Sequence, residues 1–287
     1  MITDFDTNKI YLAKGMTSEK FVDATGHLLG TLHNHMVHWN FLPQTASPLH
    51  IWARDYMPVQ VSKNKFVCFN YSPDYLKNYP EYKPDISAIL SALDIQVIDS
   101  EIILDGGNVI SCGDKVIMTN KIFRENPHYD RDMLIKTLSQ LLEAEVVLIP
   151  EDCYDEYGHA DGMVRYMGEG RVLLNNYCDF DKALRNKIIA ALSPHFDIVE
   201  LHYGTHTDMS WAYINFLHVG RHILIPMIED KLGESAFKQI ADAIPQCECH
   251  PVFHYENIVH EGGALNCSTW NILVDLPKEE TSKELPK

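Results

Sequence analysis

Three kinds of side chain stand at spacings that could do chemistry. Cys267 follows a pair of glycines in "EGGALNCSTW", and His159 precedes Asp161 by two residues in "YGHADGMVRY". A thiol and an imidazole suit covalent catalysis, because the thiolate is a strong nucleophile and the imidazole can shuttle protons. The glycines at 262 and 263 allow a tight turn and a close approach of substrate to Cys267. Asp55 in "HIWARDYMPV", Asp105 in "LDGGNV" and Asp161 add carboxylates, which repel when close and need a cation or protons to compensate them. The set asks for an electrophile that is itself cationic, and such a cation would help deprotonate the thiol. A planar guanidinium meets these demands: its N–H groups pair bidentately with carboxylates and its central carbon can accept sulfur.

These residues lie far apart along the chain, so repeated elements must bring them together. Segments beginning at Asp55, Asp105, Asp161 and Ala212 share one form, an apolar strand, a turn and a second apolar strand. The anchors are 50, 56 and 51 residues apart, and a further 51 reaches Gly263. Before the later hairpins, apolar residues recur at helical spacing, as in Ile86, Ile89, Leu90 and Leu93, or Leu134, Leu138, Leu141 and Leu142. A less regular helix spans Phe21 to Leu29, with Ser18 as its N-cap. Short strands follow at 37, 95, 146, 198 and 249, and "HIWARDYMPV" reads as the start of a strand. The repeating unit is helix, strand, hairpin. Amphipathic helices exclude an all-β kelch array, and the pattern predicts a five-bladed α/β propeller. It forms a single domain over residues 1–276, with 277–287 a charged, frayed tail. In a radial array equivalent positions face one axis, so Asp55, Asp105, Asp161 and the segment at Gly263 should ring one cavity.

Composition narrows the partners. A formal net charge of −16 argues against nucleic acid and favours cationic small molecules. Seven cysteines without paired spacing, and no apolar segment at the N-terminus, point to a reducing cytosol. No run approaches the roughly 18 apolar residues of a membrane helix. Cys68, Cys112, Cys153 and Cys178 lie in or beside apolar strands, where packing is the simpler reading. "HNHMVH" (His33, His35, His38) and "CECH" (Cys247, Cys249, His250) lack the paired spacing of structural zinc sites, so no metal is expected. His206 and Asp208 in "THTD" repeat the spacing of "GHAD", but register leaves them in the loop before a strand, at the pocket rim.

Taken in order, "WARDYMP", "LDGGNV", "GHADGMVRY", "AYINF" and "EGGALNCSTW" resemble the motif series of the agmatine deiminase and bacterial-type peptidylarginine deiminase family. These are guanidino-group-modifying enzymes of the pentein fold, a five-bladed α/β propeller. The resemblance implies Cys267 as nucleophile and His159 as general acid and base, with Asp161 and Asp55 gripping the guanidinium. It implies substrate contact at Asn215, and Asp105 stands where agmatine deiminases carry Glu. Trp52 and Arg54 complete the binding set, Arg54 by pairing with Asp55 or a neighbouring acid. No metal or organic cofactor is implied, and a homodimer is the default expectation.

The chain departs from agmatine deiminases after the first hairpin, where "FNYSPDYLKNY" replaces an "FNAWGG"-like stretch. Peptidyl enzymes use arginines there to hold a carboxylate, yet no Arg lies between Arg54 and Arg124, and Lys77 reads as solvated. Agmatine, lacking a carboxylate, fits that absence better. The alternatives are an amidinotransferase using the same Cys and His, and a non-catalytic pentein that only binds a partner. A papain-like hydrolase would place the nucleophile early and the histidine late, the reverse of this order.

Overall fold

A computed structural model describes residues 1–43 and 50–276, so the tail at 277–287 lies outside the described residues. Branched and aromatic runs form fifteen short strands among the described residues, arranged as five three-stranded sheets. The first hairpin pairs β3 (Val59–Ser62) with β4 (Lys65–Asn70), and β5 (Ile98–Ile103) returns parallel to β4. The same pattern joins β6 (Ile110–Ser111), β7 (Lys115–Thr119) and β8 (Glu145–Ile149). It recurs in β9 (Val164–Gly168), β10 (Arg171–Leu174) and β11 (Asp197–Glu200), and in β12 (Leu217–Val219), β13 (His222–Pro226) and β14 (Glu248–Val252). The repeating unit is therefore hairpin, helix, strand, a correction of the expected grouping. A parallel return needs a crossover, and the helix supplies it.

The fifth sheet was only half expected. β15 (Thr269–Ile272) pairs antiparallel with β1 (Lys9–Leu12), which pairs parallel with β2 (His38–Phe41). The chain's first strand thus completes its last hairpin, with Lys9 opposite Ile272 and Leu12 opposite Thr269.

Helices lie between strand two and strand three of each sheet. Leu134, Leu138 and Leu142 of Arg131–Leu142 are fully buried, as are Ile188 and Leu192 of Lys182–Leu192, so the apolar stripe faces the sheets. Asp85, Asp130 and Asp181 cap their helices by accepting backbone N–H groups. The helix α1 (Val22–Asn34) has Phe21 at its N-cap with no side-chain cap bond, so Ser18 does not cap it. Mixed sheets with helices between their strands make this a mixed α/β fold.

A one-turn helix precedes the first strand of four hairpins: Ala53–Tyr56, Gly106–Asn108, Ala160–Gly162 and Ser210–Tyr213. The "ARDY" stretch is therefore helical, and β3 begins only after Pro58, whose missing N–H suits a strand entry. These turns pack backbone to backbone: a Cβ on Gly106 would lie 1.9 Å from the carbonyl oxygen of Arg54. They also correct the repeat register. Asp105 and His159 each precede their turn with extended backbone, at φ −87° in both, so Asp105 is equivalent to His159 and not to Asp161.

Candidate active site

Cys267, His159, Asp161 and Asp55 all line one cavity of ≈ 1470 Å³, together with Trp52 and Asn215. All four are buried side chains. Asp105 and Arg54 do not line it.

Cys267 sits in the turn before β15. Its Sγ lies 3.4 Å from Asp161 Oδ2, to which the thiol donates, and Asn266 Nδ2 donates to the same oxygen at 2.7 Å. The backbone N–H of Cys267 donates to Asn215 Oδ1 at 3.3 Å, and its carbonyl accepts from the Arg54 N–H at 3.1 Å. The glycine pair has a steric cause. Gly262 adopts φ +96°, and a Cβ at Gly263 would lie 2.2 Å from Trp52 Cζ3. Burial, with Asp161 and Asp55 adding negative charge, pushes the thiol well above its ordinary range.

His159 lies between two carboxylates. Its Nε2 is 2.8 Å from Asp105 Oδ2, and its Nδ1 is 3.6 Å from Asp55 Oδ1. Burial and Lys121 act to lower its pKa, but Asp55 and Asp105 outweigh them and carry it up to about 9. Asp55 Oδ1 accepts the Gly107 N–H at 3.0 Å, yet burial dominates and pushes Asp55 up to about 7. A Cβ on Gly107 would lie 2.6 Å from His159 Nδ1 and 2.7 Å from Asp55 Oδ1, so this glycine sets the spacing of the acid and the imidazole.

Several expectations change. Asp105, expected to ring the cavity, is buried behind His159 and bonded to it and to Lys121 Nζ, at 2.7 Å. Arg54 does not pair with Asp55. It turns to the opposite side, donating to Asn271 Oδ1 and, at 3.5 Å, to the Asn266 carbonyl, in a half-buried network with Asp4 and Arg165. Its backbone and guanidinium thus hold the segment that carries Cys267. Asn215 has its acceptor oxygen engaged by the Cys267 N–H, which leaves its Nδ2 donors, a poor match for a cation. His206 and Asp208 line the cavity as expected of rim residues, and Lys77 is exposed and away from it.

Sequence reasoning missed Lys121. It is fully buried, 2.7 Å from Asp105, 3.2 Å from Glu125 and 3.4 Å from His159 Nε2. Lys121 and Glu125 read in sequence as an ordinary surface pair at i, i+4, with no signal of burial. The altered "FNYSPDYLKNY" stretch was a visible signal: its Tyr75, Leu76 and Tyr79, with Tyr82 just beyond it, line the cavity. Asp152, Asp155, Glu156, Asp208 and Glu261 add further acid to the lining, and the Lys or Arg among these residues is Lys20, paired with Glu261.

An anionic, aromatic-walled cavity with a thiol, an imidazole and two carboxylates can bind a planar cation and attack it. Comparison with known proteins bears on that reading. Residues 16–272 match the family model of Porphyromonas-type peptidyl-arginine deiminase. Among solved structures, C. jejuni agmatine deiminase superposes with a TM-score of 0.77 at 15% identity, over 96% of this chain and 96% of that one. Agmatine deiminase of Enterococcus faecalis gives 0.72 at 14% identity, over 96% of each chain. The N-terminal domain of a cyanobacterial arginine dihydrolase gives 0.61 at 14% identity, over 93% of this chain and 98% of that one. At such identities these likenesses speak for the fold alone. A search among curated proteins found no match. The family model runs from the turn before α1 to the end of β15, through every segment that carries a site residue, and the chain belongs to the Porphyromonas-type peptidyl-arginine deiminase family.

Proposed function

We propose that this protein is a hydrolase that deiminates a small cationic guanidino compound of agmatine type, releasing ammonia and leaving a ureido product. The observation that carries this reading is the meeting of Cys267, His159, Asp55 and Asp161 on one acid-lined cavity. The five sheets, with β1 completing the hairpin begun by β15, are read as a closed five-bladed propeller forming one catalytic unit over residues 1–276.

In the proposed mechanism the guanidinium lies between Asp55 and Asp161, and its charge lowers the thiol pKa that burial had raised. The Cys267 proton leaves towards Asp161, which already accepts it. The thiolate forms an S–C bond at the guanidinium carbon. His159, held as imidazolium, gives its proton to one nitrogen, the C–N bond breaks and ammonia departs. A thiouronium remains. Neutral His159 then takes a proton from water, hydroxide adds to the same carbon, and the S–C bond breaks; the departing sulfur regains its proton from Asp161, and the hydroxyl proton of the product is lost to solvent, leaving the neutral ureido group. Asp105 touches no reacting atom and orients His159 from behind. Arg54 and Asn215 hold the nucleophile's backbone. No metal or organic cofactor enters any step. An agmatine-directed activity would belong to cytoplasmic polyamine metabolism.

The test is ammonia release from agmatine, arginine, blocked arginine, a peptide ending in arginine, and methylated arginines, with Cys267→Ala in parallel. Release that depends on Cys267 and needs no added amine is the expected result. Release only when an amine acceptor is supplied would make the protein an amidinotransferase. No release above the Cys267→Ala level from any member would end the deiminase reading in favour of a binding role.

A further inference from the structure

Away from the cavity, three imidazoles and a carboxylate converge. His35 follows the last turn of α1, His222 opens β13, and Glu248 and His250 lie on β14. In the parallel pairing of β13 with β14, His222 stands opposite Glu248. His250, two residues further along the strand, shares that face. So does Val252, which packs with Leu28 and Leu32 of α1 in one core cluster. The four polar groups therefore cap the seam where α1 crosses the edge of this sheet.

One ligand atom from each of these residues lies within 4.8 Å of the others. His222 Nδ1 is 3.1 Å from His250 Nε2 and 3.7 Å from Glu248 Oε2, and the His35 and His250 rings stack with centroids 3.6 Å apart. A tetrahedral ion with metal–nitrogen bonds of about 2.0–2.1 Å separates its ligands by about 3.3 Å, close to these spacings. The other Glu248 oxygen is held by Arg221, which fixes the carboxylate's orientation as an outer-shell partner would. The C-terminal end of a helix also favours positive charge.

A second cluster, Cys178, Asp179 and His202, lacks these properties. Asp179 already accepts from Asn176 Nδ2 and from the backbone N–H groups of Tyr203 and Gly204, which leaves it little capacity for an ion.

We propose that His35, His222, Glu248 and His250 form a binding site for a first-row divalent metal ion of zinc type, which ties the C-terminal end of α1 to the β13–β14 edge. Imidazole-rich donor sets suit zinc, nickel and copper. The site is structural. Lys20 and Phe21, before the opposite end of α1, line the candidate active site, and 13 helical residues span about 20 Å. The spacing of "HNHMVH" and "CECH" gave no metal motif because the first supplies His35 alone, the second supplies Glu248 and His250, and the fold adds His222 from elsewhere.

The test uses the full chain, stripped with chelator, in a Cys267→Ala background that removes the cavity thiol from competition. Zn²⁺ is titrated against a chromophoric indicator, thermal unfolding is followed with and without Zn²⁺, and Co²⁺ is used as a spectroscopic probe. One equivalent of tight binding, a raised Tm and cobalt bands without thiolate charge transfer are expected. His222→Gln and His250→Gln should each weaken binding by more than the 10–100-fold that loss of an outer-shell partner costs. If either of these variants fails to fold, Glu248→Gln on the exposed side of the cluster serves in its place, with weakened binding again expected. Absence of tight binding, binding undiminished in the variants, or a cobalt–thiolate band would each overturn the proposal.

Discussion

Lys121 Nζ lies 2.7 Å from Asp105 Oδ2, the same oxygen that lies 2.8 Å from His159 Nε2. One carboxylate oxygen thus joins a buried ammonium to the imidazole of the site. Lys121 and the His159 hydrogen bond keep Asp105 below the usual carboxylate range although burial raises it. Glu125, 3.2 Å from Lys121, is pushed by burial up to about 7. Removing the ammonium would leave Glu125 buried without a cation and Asp105 with His159 alone, and breaking such a buried pair typically costs about 3–5 kcal/mol. Lys121→Met is expected to destabilise the protein by that order in denaturant unfolding. Adding Glu125→Gln should recover part of the loss, because it removes one of the unpaired charges. Additive losses in the double variant would show that the two residues do not interact.

The raised pKa values of Asp55 and His159 fix a pH profile. In the proposed mechanism Asp55 is ionised to hold a cation, and His159 is protonated to release ammonia. With Asp55 at about 7 and His159 at about 9, kcat/KM should rise through the first value and fall above the second. Stability of the ligand-free protein follows a different course. His159 binds its proton more tightly folded than unfolded, so its contribution is full below the unfolded value and is lost as pH rises through about 9. The buried thiol acts in the same direction, since it favours the protonated form. Tm should therefore fall between pH 7 and 9, with a shallower slope in His159→Gln. A Tm that climbs over this window would contradict the assigned charge of His159.

Much of this could be read from the sequence because local periodicity survives into the fold. Hairpins at Asp55, Asp105, Asp161 and Ala212 alternate as strands do, and Leu134 to Leu142 keeps one helical face. Cys267, His159, Asp161 and Asp55 were legible because they occupy repeated positions and carry distinctive chemistry. What escaped depends on contacts distant in sequence. β1 is four residues without a turn signal, and only its pairing with β15, some 260 residues away, marks its place. Asp105 could not be told from a cavity carboxylate until the one-turn helices set its register against His159. Arg54 and Asp55 are neighbours in sequence, yet the turn sends their side chains to opposite sides, where Asn271 and Gly107 receive them.

Gly107 offers a test of the site that leaves its chemical groups untouched. Its φ is not positive, so backbone strain is not the constraint. The constraint is space, because a methyl group would press on both His159 Nδ1 and Asp55 Oδ1. Gly107→Ala should cost about 1–3 kcal/mol of stability, as overpacking commonly does. Activity should fall by about 10²-fold, since a misplacement of about 1 Å can cost that much. Near-normal kcat in a folded Gly107→Ala protein would mean that the spacing of His159 and Asp55 does not matter to turnover.

Substrate choice follows from which cations the cavity lacks. Asp152, Asp155, Glu156, Asp208 and Glu261 join Asp55 and Asp161 along its lining. Lys20 is tied to Glu261, and Arg124 to Asp74 and Glu151. Lys121 is sealed behind Asp105. Among the described residues, none of these cations stands unpaired to receive the α-carboxylate of arginine, and that carboxylate would meet the acids of the rim. Losing it converts a zwitterionic end into a cationic one, which those acids favour. Like-charge juxtaposition can cost several kcal/mol when desolvated and less at a solvated rim. Agmatine should therefore exceed arginine in kcat/KM by at least about tenfold, equivalent to about 1.4 kcal/mol. The preference should shrink as salt is raised, because rim charges are screened over about 10 Å at 0.1 M. Asp208→Asn should narrow the ratio by improving arginine's KM, with kcat on agmatine little changed. Equal use of the two substrates at low salt would show that the acids of the rim do not read the substrate's far end.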